Sequence, residues 1–209
     1  MFLAIALMAH SQQVYFEAGK INSSFDYKDS EGNKIGNLQG SNQNSLCAGY
    51  RNFIVKPNFN FFGSVSYVKY GAKGSDKTLG NSFDWEMEYV GVNLGIDYEF
   101  FRPSILKNEQ HGFSFCIIGS VASEFLLKGT QTVNGQVNDL KGLEEFDKPF
   151  YFARGGVSLN YYISKSFMLY GKYMGGTSFL IGDYKNQEQL RLITHNVSIG
   201  LSISLVYDN

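Results

Sequence analysis

Three prolines, two cysteines, three histidines and a charged fraction of only 18% are the scarcities of this 209-residue chain. Few prolines leave long stretches in which nothing interrupts a hydrogen-bonded strand ladder. Two cysteines, Cys47 and Cys116, are too few and too far apart for a disulfide framework. Each sits in the middle of an alternating segment, where a small buried side chain is the commoner use of the residue, so two free thiols are expected. So few histidines and cysteines give a transition metal no ligand cluster, and neither a glycine-rich phosphate loop nor a calcium-loop spacing is present. A formal net charge of -1 implies no basic face for nucleic acid or for anionic lipid, which removes nucleic acid as a partner. No stretch approaches the ~20 apolar residues that a membrane helix requires. Any membrane span must therefore be made of strands. No internal repeat or linker divides the chain.

What is plentiful points the same way. Aromatic residues reach 16% and there are 23 glycines, a composition suited to strands and tight turns. Residues 1–11, MFLAIALMAHS, are apolar and end on Ala9-His10-Ser11, with small residues where a signal peptidase reads. The expectation is a cleaved export signal over 1–11 and a single domain over 12–209, with no cysteine near the cleavage point to carry a lipid anchor. Beyond it, apolar residues recur with a period of two. Val197, Ile199, Leu201, Ile203, Leu205 and Tyr207 alternate with Ser198, Gly200, Ser202 and Ser204. Val90, Val92, Leu94, Ile96, Tyr98 and Phe100 alternate with Gly91, Asn93, Gly95 and Asp97. Like patterns run through Phe113 to Val121, Val157 to Ile163 and Phe59 to Tyr67, with shorter ones near 14–25, 46–55 and 167–174. Eight strands are predicted. Long polar connections fall at 28–43, 71–82, 128–149 and 175–189, and tight ones at 56–58 and 164–166; the connection from Phe101 to Gln110 is longer than that alternation prefers.

Alternation alone does not say which face is inside, because a soluble barrel carries the same period with its apolar residues turned inward. The other face decides. It is mostly Ser, Gly and Asn with isolated charges, unlike a water-facing wall, and it suits a narrow packed lumen. Tyr67, Tyr98, Phe100, Phe113, Tyr161, Phe167, Tyr173 and Tyr207 fall near the ends of the apolar stretches, where an aromatic girdle meets lipid headgroups. Asp84, Glu86 and Glu88 share parity with Val90 to Phe100. A core-facing apolar side would drive these carboxylates inward; a lipid-facing one leaves them on the outer wall above the bilayer, with Phe83, Trp85, Met87 and Tyr89 packing inward at the mouth. The eleven residues from Val90 to Phe100 match the ~9 to 11 that a strand needs to cross.

With these features the chain resembles the small outer-membrane barrels similar to OmpX and the membrane domain of OmpA. The resemblance covers the chain after 1–11 and rests on pattern rather than on a fixed motif. Members often end on an aromatic residue, whereas here Tyr207 is followed by Asp208 and Asn209. The resemblance implies an all-β, eight-stranded, antiparallel up-and-down transmembrane β-barrel in the cell outer membrane. Its partners would be outer-membrane lipid and lipopolysaccharide, and other outer-membrane proteins met through the long loops or the lipid-facing wall.

Parity assigns Glu17, Arg51, Asp97, Glu124, Arg154 and Lys172 to the lumen, three acids against three bases. Strand direction places Glu124 with Arg154 and Glu17 with Arg51 on neighbouring strands, and leaves Asp97 and Lys172 to meet across the lumen. A self-neutralising network is the expected use, because an unpaired charge in a water-poor interior is costly; an ion or proton path is the alternative. No catalytic residue is assigned and no cofactor is implied. After 1–11 only His111 and His195 remain, His111 in a periplasmic connection, so His195 is the one candidate base for a lipid-modifying enzyme. Its same-face neighbours Ile193 and Val197 offer no nucleophile. The acidic loop groups Asp26, Asp29 and Glu31, and Asp139, Glu144, Glu145 and Asp147, read as solvated rather than as cation sites. Phe179, Leu180 and Ile181 are three apolar residues in an exposed loop, either a partner contact or a fold-over of the barrel mouth.

Overall fold

The computed structural model describes residues 12–28, 39–53, 58–76, 81–101, 112–142, 148–179 and 189–205. The proposed export segment, His111, Tyr207 and the acidic residues 29, 31, 144, 145 and 147 lie outside them. The strands are β1 (Gln13–Lys28), β2 (Gln39–Phe53), β3 (Phe59–Asp76), β4 (Asn81–Phe100), β5 (Gly112–Val133), β6 (Gln136–Asp139), β7 (Phe150–Tyr162), β8 (Phe167–Phe179) and β9 (Gln189–Ser204). Consecutive wall strands pair antiparallel, and β1 pairs with β9, so eight strands close into a ring. The ninth, β6, is a short arm folded back on the upper end of β5. Its turn is Asn134-Gly135, both at positive φ (51° and 84°), the conformation that a two-residue hairpin of right-handed twist requires.

The registers fix the shape of the ring. From Gln13 the ladder partners run through Arg51, Phe62, Gly95, Ser120, Arg154, Gly176 and Thr194 and return to β1 at Ser23, a shear of ten residues. Eight strands with that shear tilt by about 40° from the barrel axis, so each residue rises ~2.5 Å along it and each step to the next strand climbs ~1.25 residues. Ranking side chains by this height orders both surfaces. On the outside, Phe113, Phe167, Tyr161 and Tyr98 form a lower belt, with Phe113 against Tyr161 and Tyr98 against Phe100 at centroid separations of 4.8 and 4.7 Å. Tyr151, Phe125, Phe179 and Lys69 mark an upper edge about ten residues higher, a band of roughly 25 Å. Between them Val65, Val92, Val121, Leu159, Val197 and Ile199 stand exposed, Ile199 by 72%. An outer wall of this kind is made for hydrocarbon.

Above the band the ladder continues. β3 and β4 pair as far as Asp76 and Asn81, and β5 reaches Val133. Much of what reads in the sequence as loop at 71–82 and 128–149 is therefore strand. Above the bilayer the outward residues no longer need to be apolar, so the alternation fades while the backbone hydrogen bonds persist. Asp84, Glu86 and Glu88 lie on the outside of this extension, and Trp85, Met87 and Tyr89 are buried within.

Candidate functional site: the charged lumen and the outer polar patch

An eight-stranded barrel leaves an interior just wide enough for its own side chains. Glycine on the inner wall makes room for the largest of them: a Cβ at Gly200 would stand 2.3 Å from the Tyr170 ring, and one at Gly49 2.4 Å from that of Tyr15. The mouth is closed by Ile21, Phe25, Val68, Tyr70, Ala72, Trp85, Met87, Tyr89, Ala122, Leu140, Phe150, Phe152 and Leu192, all buried together.

The charges lie in three groups, the uppermost reaching into the cap, where Glu124 is in register with Phe150, and the other two below it. Glu124 and Arg154 meet on neighbouring strands at 2.6 Å, and the Tyr70 hydroxyl both donates to Glu124 Oε2 (2.7 Å) and accepts from Arg154 (2.9 Å). Arg154 also donates to Asn93 and lies 4.2 Å over the Phe152 ring. At mid-height Lys172 donates to Glu17, which accepts also from the Tyr170 hydroxyl at 2.9 Å. Toward the lower end Arg51 donates through Nη2 (2.5 Å) and Nε (2.9 Å) to both oxygens of Asp97, and Asn60 donates to the same carboxylate. Two expected pairings are thus corrected: Glu17 joins Lys172 rather than Arg51, and Asp97 joins Arg51 rather than Lys172. In each observed pair the partners stand two strands apart at nearly one height, where the tilt brings their tips together.

A fourth lumen acid, Glu99, was missed by the parity reading although it shares the parity of Asp97. It is fully buried, accepts from Ser114 (2.5 Å) and the Tyr162 hydroxyl (2.5 Å), and lies 3.5 Å from Arg51. Cys47 and Cys116 are both free, as the sequence suggests, and both turn inward. Cavities of about 50 and 70 Å³ remain, one against Arg51, Asp97 and Cys116 and one against Arg154, Asn93 and Cys47, with Glu17 and Lys172 lining both. Each has room for a few waters.

The outer wall has a polar patch at the upper part of the band. On β9, His195 faces Gly175 of β8 and Asn22 of β1, and its Nδ1 is 2.7 Å from the Tyr173 hydroxyl. Tyr173 therefore serves His195 rather than the girdle. On β1 and β2, Lys20 donates to Asn44 (2.5 Å) and Asn22 to Asn42 (2.9 Å). Across β3 and β4, Lys69 and Tyr67 both donate to Glu88, at 2.7 and 2.6 Å, and hold its carboxyl below the usual carboxylate range. Phe179, at the end of β8, stacks on Tyr151 in the upper girdle; Leu180 and Ile181 lie outside the described residues. No group of three His, Cys, Asp or Glu side chains converges on a metal position among the described residues.

No protein-family model matches the chain, and no curated protein matches it in sequence. Solved structures do. The outer membrane protein OprG from Pseudomonas aeruginosa aligns with 94% of this chain and 97% of its own at 7% identity and a TM-score of 0.52. Neisserial surface protein A aligns with 92% of this chain and 97% of its own at 12% identity and a TM-score of 0.50. At these identities the likeness is one of fold, and together with the apolar outer band it gives the conclusion: the chain has the fold of the small eight-stranded outer-membrane β-barrels.

Proposed function

We propose that the protein is a plugged outer-membrane barrel whose role is structural and interactive, holding its surface extensions outside the cell for envelope integrity, adhesion or assembly with other outer-membrane proteins. The observation that carries this reading is the stacking of three buried ion-pair groups, the uppermost of them set against a buried apolar cap rich in aromatic rings. Charges so paired keep the interior filled, and the cap covers them. Lipopolysaccharide and outer-leaflet lipid are its constant neighbours. We assign it no catalysis: among the described residues the partner of His195 is a phenol, and its ladder neighbours are Gly175 and Asn22, so a hydrolytic relay lacks its carboxylate. Recording in planar bilayers tests the reading. Wild-type protein is expected to give no steady conductance.

A narrow pore is the second reading, favoured by the two cavities that meet at the Glu17 and Lys172 pair. Steady unitary steps from wild type would put it in place of the first.

A further inference from the structure

Lys20 stands on the lipid-facing wall about 6 Å below the upper edge of the apolar band. Of the other outward lysines at or above this edge, Lys69 and Lys73 are paired with Glu88 and Asp84 on the adjoining strand, and Lys128 stands opposite Glu88 in the ladder. Lys20 has instead a neutral partner, Asn44. The described parts of β8, β9 and β2 contain no acidic residue at all, and on β1 the outward face has only Asp26, six residues higher and in register with Arg191. An ammonium carries three donors and one is used here. Burying its charge at the edge of hydrocarbon without a counter-ion is costly, and the flexible stem lets the head rise toward the headgroups.

His195 completes the arrangement. It is two residues along from Val197, the ladder partner of Lys20, which makes the two side chains diagonal neighbours about 7–8 Å apart on one face. In the tautomer whose Nδ1 accepts from the Tyr173 phenol, the ring proton sits on Nε2 and offers a second donor beside the lysine. The Asn22 and Asn42 amides flank them.

We propose that this patch on β8, β9, β1 and β2 is a binding site for the phosphate group of an outer-leaflet lipid, with Lys20 as the counter-charge and His195 as the second donor. Acyl chains lie against the apolar wall below, where Val197 and Ile199 are exposed. The inference rests on the membrane placement of the barrel, which lipid quenching tests separately, so loss of phosphate preference alone leaves that placement standing.

The test is native mass spectrometry of the folded barrel in neutral detergent, titrated with bisphosphorylated lipid A, with its dephosphorylated form and with inorganic phosphate. Folding of each variant is checked by heat-dependent gel mobility. Wild type is expected to prefer the phosphorylated lipid, Lys20→Gln to weaken that binding about tenfold, the loss of one charge-assisted contact, and Lys20→Arg to keep it. His195→Gln should weaken it less, and Lys165→Gln, at a periplasmic turn, not at all. Equal binding of both lipid forms, or a folded Lys20→Gln that binds as wild type does, overturns the proposal. Displacement of the lipid by excess inorganic phosphate overturns its lipid source and leaves a simple anion site.

Discussion

At the scale of single residues the interior is governed by the cost of an uncompensated charge. Removing Glu124 strands the Arg154 guanidinium, and breaking a buried pair costs about 3–5 kcal/mol. Glu124→Ala is therefore expected to lower the unfolding midpoint in urea more than Glu124→Ala combined with Arg154→Met, which removes both charges. Arg51 stands between Asp97 and Glu99. Arg51→Met should accordingly destabilise more than Asp97→Asn, which leaves the guanidinium the Glu99 carboxylate. Parity told which charges face inward, because a strand alternates strictly. It did not tell which of them meet, because partnership depends on the shear of the closed ring: Glu17 reaches Lys172 two strands away at the same height, and nothing within β1 or β8 encodes that offset. Glu99 follows the parity of Asp97 and is legible on that ground, although it sits between Tyr98 and Phe100 at the end of a run whose apolar face dominates the pattern.

At the scale of elements, the strands are longer than their hydrophobic pattern. The alternation marks only the part in lipid, while β3, β4 and β5 continue upward on backbone hydrogen bonds with polar residues outside. The β5 and β6 hairpin is anchored by Leu140, which is buried in the aromatic cap and packs over Gly129. Leu140→Ala is expected to cost about 2–5 kcal/mol, the usual range for a truncated core leucine, read as a shift of the urea midpoint. The hairpin turn and the β7 to β8 turn lie at opposite ends of the barrel. In a Cys47→Ala, Cys116→Ala background, Asn134→Cys should react with an impermeant maleimide on intact cells, whereas Lys165→Cys should react only after the outer membrane is opened. The reverse pattern would invert the topology.

At the scale of the whole molecule, one asymmetry accounts for the architecture: a wall apolar outside and polar within, the inverse of a water-soluble barrel. That inversion was visible in the sequence, chiefly in the Ser, Gly and Asn of the inner parity and in the carboxylates of Asp84, Glu86 and Glu88. The shear of ten was not, since register across strands is set by packing around the closed ring. The most direct measurement of the inversion uses tryptophan fluorescence in vesicles containing lipids brominated along their acyl chains. With Trp85→Phe removing the one native tryptophan, Ile199→Trp should be strongly quenched and Val137→Trp, on the β6 arm above the bilayer, should not. Quenching absent at residue 199, or equal at both positions, would contradict a barrel whose apolar face meets lipid.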